Sequence, residues 1–323
     1  MIRIPQARVF EVTAAVGDWE RHNAESLVEL ACRVPADRPF QARQVHLQLD
    51  HAALALVSGT PHGVAREEEA IAARPADAIA VYTKLKGDGV LEYRGARTRL
   101  RPGHVVVCDV DFPLRRQGFG DIAELAVTVP RASISGLTGD AEIGEPSVLT
   151  VHQDPYARAL MNLVHRAVRP HVPVPADEQA VLELVAVLAS GGRASPSTKH
   201  RAAARAFIDD HLADPLLSAS DVAAGAGVSE RHLSRLFAEV GASVPRHILA
   251  RRLDLAYSTL RHAPGPGIST AEAAARCGFT SMSHFSRTFH QRFGVTAGKV
   301  RSHGGRPQPD RDRMSPAMAS IKV

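Results

Sequence analysis

Hydrophobic and polar positions follow two regimes along the chain, and the change falls near residue 150. Before it, Val45 to Leu49 alternates with period two, as a half-buried strand does. Leu54 to Val57, Ile79 to Tyr82, Val90 to Arg94, Val105 to Cys108 and Glu124 to Val129 are further short runs. Turn residues separate them at Gly87-Asp88-Gly89, Gly95, Pro102-Gly103 and Phe112-Pro113. Many short strands with such spacing predict an antiparallel sandwich or barrel over residues 1–150. One helix is expected near Asp18 to Cys32, with Trp19, Leu27 and Leu30 on its buried side. Past Pro155 the period becomes helical. Tyr156, Leu160, Leu163, Val164 and Ala167 recur three or four apart, and Asp177 to Ala189 repeats the pattern through Val181, Leu184, Val185 and Leu188. These two stripes make residues 151–190 a helical connector and a candidate dimerisation element, with packing on its own barrel as the alternative. Ser190 to Ser197 (SGGRASPS) reads as a flexible linker, which places a boundary at 191–199.

Residues 200–303 predict helices throughout. Phe207, Ile208 and Leu212 share a face ahead of the breaker Asp214-Pro215. The phrase HLSRLF at His232–Phe237 returns as HFSRTF at His284–Phe289, 52 residues later. Each copy follows a capping box, SASD at Ser218–Asp221 and STAE at Ser269–Glu272. In such a box the Ser oxygen takes a free N–H at a helix start and the acid reaches back. Between box and phrase stands Gly227 or Gly278, suited to the left-handed conformation that ends a helix, and new helices open at Ser229 and Ser281. Helix, glycine turn, helix is the outline of a helix-turn-helix, here twice, at about 218–240 and 269–293. A long helix from Pro245 to His262, with Leu249, Leu253, Ala256 and Leu260 on one side, is expected between them and to stop at Pro264-Gly-Pro-Gly267. The tail 304–323, rich in Gly, Pro, Asp, Arg and Ser, is expected to be disordered.

At 323 residues the chain is too long for one core and suggests two domains with a connector. An apolar fraction of 45% is ordinary for a globular protein, and no apolar run reaches the length of a membrane span. The first residues, MIRIP, lack a signal-peptide core, so the cytoplasm is expected. Cys32, Cys108 and Cys277 stand singly and read as small buried hydrophobes, not as a zinc site or disulfide framework. The net charge of +5 is unevenly spread. Lys199 to His303 holds 14 Lys and Arg against 8 Asp and Glu, whereas the remainder holds 25 against 26. The positive excess sits with the two units, where phosphate neutralisation needs it.

In the helix opening at Ser229, the spacing puts Leu233, Leu236, Phe237 and Val240 on the buried side and Glu230, Arg231, Ser234, Arg235 and Ala238 outside. The helix opening at Ser281 buries Phe285, Phe289 and Phe293 and presents Met282, Ser283, Ser286, Arg287 and His290. Arg235 and Arg287 are the best candidates for base contact, because a guanidinium can bond both acceptors of guanine at once. His232 and His284 lie nearer the apolar side. Arg246, Arg251, His290, Arg292, Lys299 and Arg301 are candidate phosphate contacts.

These residues resemble the DNA-binding domain of the AraC/XylS family of bacterial transcription regulators. The second unit carries most of the likeness, through Ala273–Phe279 (AAARCGF), Ser281–Phe289 (SMSHFSRTF) and Gly294–Thr296 (GVT). Arg251–Ala256 (RRLDLA) resembles the family's linker helix. The resemblance implies two units entering successive major grooves, with Arg231, Ser234 and Arg235, then Met282, Ser283, Ser286 and Arg287, facing the bases. After Thr296 the chain departs from the pattern: Ala297 and Val300 stand where the family has a proline and an aromatic residue, so the last helix is expected to start less firmly. The N-terminal half resembles the cupin-like sensing domain of one AraC subgroup, through Trp19–Asn23 (WERHN) and Leu100–Gly103 (LRPG). An α+β molecule follows, with a cupin-like β-barrel, a helical connector and an all-α C-terminal domain. Implied partners are double-stranded promoter DNA, RNA polymerase, a small-molecule effector and a second copy of the chain. No cofactor is implied.

Other functions fit less well. A metal-dependent cupin enzyme needs two histidines as His-x-His, and His46, His51, His62 and His104 are isolated. An alkyl-transfer repair protein needs more N-terminal cysteines than Cys32. An architectural DNA protein has little use for so long a barrel-like domain. An effector-independent activator is the nearest alternative. Effector contacts are not legible: Tyr82, Tyr93, Arg38 and Arg115 could line a pocket, although a core or surface role is the ordinary one for each.

Overall fold

Ten strands between Arg8 and Thr150 form one antiparallel sheet in a computed structural model that describes residues 4–138, 145–169, 174–262 and 268–303. In chain order the elements are β1 (Arg8–Thr13), α1 (Val16–Ser26), β2 (Ala31–Arg33), β3 (Gln41–Gln48), β4 (Ala53–Gly59), β5 (Gly63–Arg66), α2 (Glu68–Ala73), β6 (Ala78–Tyr93), β7 (Ala96–Leu100), β8 (His104–Asp109), β9 (Leu114–Pro130), α3 (Arg131–Thr138) and β10 (Ser147–Thr150). The main path runs β1-β3-β4-β9-β6-β8-β10, with β5 joining β2 to the first half of β9 and β7 pairing with the end of β6. The strands curl into a barrel whose spine is the long β6–β9 pair.

Two sequence runs, Ile79–Tyr82 and Val90–Arg94, are thus parts of a single strand, and Gly87-Asp88-Gly89 is not a turn. The glycines serve close approach instead. A Cβ on Gly87, at φ +78°, would lie 2.5 Å from the Asp121 carbonyl oxygen, and one on Gly89 would lie 2.6 Å from that of Gln117. The ladder shifts register between Lys84 and Lys86 and again between Lys86 and Asp88. Such bulges change which parity of residue faces inward. Ala78, Ala80 and Tyr82 before them and Leu91 and Tyr93 after them therefore enter the same inner core, with Val106 and Cys108. The first helix is shorter than expected: it stops at Ser26, and Leu27 and Leu30 pack from the loop that leads into β2.

The opposite face of the sheet is covered by α3, α4 (Pro155–Ala167) and α5 (Glu178–Ala189). Asp154 caps α4 by accepting from the amides of Tyr156 and Ala157. Every residue of α5 from Ala180 to Ala189 is buried, since the sheet lies on one side and neighbouring helices on the others. Each such Val or Leu contributes on the order of 1.5–3 kcal/mol. The apolar stripes of both helices are therefore consumed within the chain, and their assignment as a dimerisation element loses its ground. Nor is 190–199 a flexible linker. Ser190 is fully buried, its hydroxyl accepts from the Ala194 amide at 2.9 Å, and Ser195 caps the next helix, α6 (Pro196–His211).

Then come α7 (Ala219–Gly225), α8 (Glu230–Ala238), α9 (Val244–His262), α10 (Thr270–Arg276), α11 (Met282–Phe293) and α12 (Ala297–His303). Helix α12 forms despite lacking the proline, with Ala297 and Val300 buried and the Thr296 hydroxyl accepting from the Lys299 amide. A buried ion-pair network joins α5 to α6 and α9. Arg201 meets Glu183 at 2.7 Å, and Arg205 lies between Asp177 at 3.3 Å and Glu183 at 3.2 Å, the latter contact without hydrogen-bond alignment. His247 lies 3.0 Å from Asp177. Burial pushes the Asp177 carboxyl upward, but the His247 bond and the charge of Arg205 outweigh it and hold the group below its usual range. Among the described residues no helix is long and apolar enough to cross a membrane. Pro264–Gly267 and the tail 304–323 lie outside the described residues.

Candidate nucleic-acid interface

In the first unit the Ser218 hydroxyl accepts from the Asp221 amide and the Asp221 carboxylate accepts from the Ser218 amide, so the box closes both ways at the start of α7. Gly227, at φ +70°, ends the helix, and Ser229 caps α8 through the His232 amide at 3.2 Å. Leu233, Leu236 and Phe237 are buried under α8, which anchors it while the remainder of its surface faces solvent. Val240 departs from the expected stripe: α8 ends at Ala238, and Val240 is 46% exposed.

The second unit repeats the plan with one difference. Ser269 accepts from the Glu272 amide, but Glu272 pairs with Arg276 at 2.6 Å instead of reaching back. Gly278 turns the chain at φ +79°, and Ser281 caps α11 through His284. Phe285, Phe289 and Phe293 stack along the buried side of α11, with centroids 5.3 and 4.7 Å apart. Gly294, at φ +70°, closes the helix.

Helix α9 belongs to both cores. Val244 and Ile248 at its start pack with the first unit, and Leu253, Ala256 and Leu260 with the second. Its 19 residues span about 28 Å. Arg292 grips Asp254 with two bonds of 2.8 Å, fixing α11 to this helix.

Residues 222–303 match the family model described as "Helix-turn-helix domain". The chain is 34% identical over 123 residues to the transcriptional activator RhrA of Rhizobium meliloti (strain 1021), covering 37% of this chain and 39% of that one. The C-terminal region is a helix-turn-helix domain. A second relative, the transcriptional activator NphR of Rhodococcus sp, is 24% identical over 234 residues, 68% of this chain and 69% of that one. Among solved structures, the AraC-like transcriptional activator CuxR is similar with a TM-score of 0.47 and 18% identity, over 77% of this chain and 95% of that one. The chain thus matches less than half the length of RhrA.

Within this domain, Arg231, Ser234 and Arg235 on α8 and Met282, Ser283, Ser286 and Arg287 on α11 are all exposed. Arg235 lies 2.9 Å from His232 Nδ1 and 3.9 Å from Glu239. His284 is exposed, not turned to the apolar side. Arg246, His290, Lys299 and Arg301 are exposed as well. Two phosphate candidates fall away. Arg251 is buried, with two bonds to Asp209 at 2.8 and 3.0 Å and a third to the Pro175 carbonyl. Arg292 is committed to Asp254. Spacing alone cannot distinguish an arginine turned into a helix junction from one turned to solvent.

A second site lies inside the barrel. A cavity of about 50 Å³ is lined by Trp19, Val57, His62, Tyr82, Lys84, Arg116, Ile122 and Glu124, among others. Of the pocket candidates read from the sequence, Tyr82 lines it. Tyr93 packs edge-on to Phe112, Arg115 pairs with Glu67 at 2.9 Å, and Arg38 is exposed. Lys84 and Glu124, register partners on β6 and β9, meet at 2.8 Å, and Arg116 reaches the other Glu124 oxygen at 2.7 Å. Burial would raise the Glu124 carboxyl, but Arg116 and Lys84 outweigh it and hold it at about 2. No spacing in the sequence marked these three, because their meeting depends on strand register.

Proposed function

We propose that the chain is a sequence-specific, DNA-binding transcriptional regulator of the AraC/XylS type, controlled by a small-molecule effector bound in its N-terminal domain. The observation that carries this reading is the repeat in space: two cap–glycine–helix units, each with an exposed polar face, sharing one connecting helix. Arg231, Ser234 and Arg235 read one major groove, and Met282, Ser283, Ser286 and Arg287 the next. Arg246, His290, Lys299 and Arg301 meet phosphates. RNA polymerase is the protein partner, a homodimer the working form and the cytoplasm the setting, and no catalytic role is assigned. The matched relatives are named as transcriptional activators, which supports the same function.

Footprinting on the promoter next to its own gene tests the reading. Two protected groove segments about 34 Å apart on one face of the duplex are expected. Arg287→Ala should cost roughly 1–3 kcal/mol and relax preference at one base pair. Arg246→Ala should weaken all sequences alike and reduce the salt slope by about one. One protected segment, or base preference unchanged by Arg287→Ala, would mean that the reading face is misassigned.

A further inference from the structure

The barrel cavity carries an imbalance of charge. Two cations, Lys84 and Arg116, share the single carboxylate of Glu124. The three side chains are only 4%, 10% and 13% exposed, so water does little to screen the surplus positive charge. Arg116 Nε is wholly buried and has no acceptor within the protein, an omission that native folds rarely leave. The Tyr82 ring, 3.8 Å from the guanidinium carbon, covers a face of the group but accepts none of its N–H bonds in plane. His62 does not add to the charge, because burial lowers its pKa and keeps the ring neutral at pH 7. Elsewhere the wall is mainly apolar, with Trp19, Val57 and Ile122 on it beside the amides of Asn23 and Gln117.

We propose that this corner is an anion receptor, and that the effector is a small monoanionic carboxylate with a compact apolar body. The ligand's head group accepts from Arg116 and faces Lys84, bringing the cluster to neutrality. A dianion overshoots, a neutral ligand leaves the surplus in place, and a cation adds to it. The apolar body lies against Trp19 and Ile122. A volume of 50 Å³, at about 10–15 Å³ for each water-sized group, favours a short or branched chain. This assignment rests on the N-terminal domain being the sensor.

Thermal unfolding of the full chain, with propionate, isobutyrate and benzoate each set against its own amide, tests it. At least one acid should raise Tm with dose and bind at least about tenfold more tightly than its amide. Glu124→Gln removes the competing carboxylate and should tighten the acid, whereas Arg116→Gln should abolish its effect. Should Arg116→Gln fail to fold, the acid–amide pairs and Glu124→Gln decide the matter. The anion site is overturned if amides bind as well as acids, if Glu124→Gln weakens the acid, or if no acid in the set shifts Tm. Footprints from the same preparations separate this failure from that of the broader reading. A footprint that responds only to a neutral metabolite keeps the sensor and removes the anion site. One that responds to no small molecule removes the sensor itself.

Discussion

At Gly278 a side chain has nowhere to go. A Cβ there would lie 2.7 Å from the Leu212 carbonyl oxygen and 2.8 Å from Arg252 Nε, in a backbone already at φ +79°. Gly227 has the same handedness, φ +70°, but open space around it. Gly227→Ala should therefore cost only the left-handed strain, about 1–2 kcal/mol, and Gly278→Ala distinctly more, because backbone must also move. Denaturant unfolding of the two variants checks the order, and equal losses would contradict it. Glu124 supplies a pH test. Its folded pKa of about 2 lies below the ordinary 4.5, so its ion pairs contribute about 3 kcal/mol at neutral pH. That contribution is present above pH 4.5 and disappears as pH falls toward 2. Glu124→Gln should flatten this part of the stability–pH curve. Residues of this kind divide by what made them legible. Gly227 and Gly278 stood out because a turn between two helices calls for glycine. Arg251 reads from sequence as a phosphate contact, because its sequence neighbours do not reveal that Asp209 lies opposite.

Among the elements, helices with a cap were read closely and long strands were not. The boxes at Ser218 and Ser269 involve bonds three residues apart, so local sequence carries them. They differ in one respect that sequence did not show, since Glu272 turns to Arg276. Ser218→Ala breaks a reciprocal pair of bonds and should cost about 1–2 kcal/mol, Ser269→Ala nearer 0.5–1. Thermal unfolding of the isolated substitutions would reveal the difference, and a larger loss at Ser269 would refute it. By contrast, β6 was split at Gly87–Gly89 because its continuity depends on β9, which lies more than twenty residues further on. A glycine that permits close approach of two strands looks the same in sequence as one that turns a chain.

At the scale of the molecule, the two halves are fastened by charge as well as by apolar contact. Arg205 lies 6% exposed between Asp177 and Glu183, with Phe237 beneath its guanidinium. Removing it takes a cation from two buried carboxylates and leaves Glu183 with Arg201 and Asp177 with His247, so Arg205→Ala should lose about 3 kcal/mol. Arg292, 24% exposed at its pair with Asp254, should lose only about 1 kcal/mol as Arg292→Ala. Calorimetry that found the two equal would show that burial is not what makes the α5–α6 contact matter. The Gly, Ser and Pro content of residues 190–199 is that of a loop and by itself predicts a flexible linker. Composition does not report that Ser190 and Ala194 are buried in the junction.

Because α9 is built into both hydrophobic cores, the separation of α8 and α11 is a property of packing, whereas under the proposed function what they read is a property of seven solvent-facing side chains. The first cannot drift without unfolding a domain; the second can change one residue at a time at almost no cost to stability. Descendants of this chain are therefore free to acquire new operator sequences but not new operator spacings. Among its relatives by descent, binding sites should diverge in letters while keeping the distance between half-sites constant.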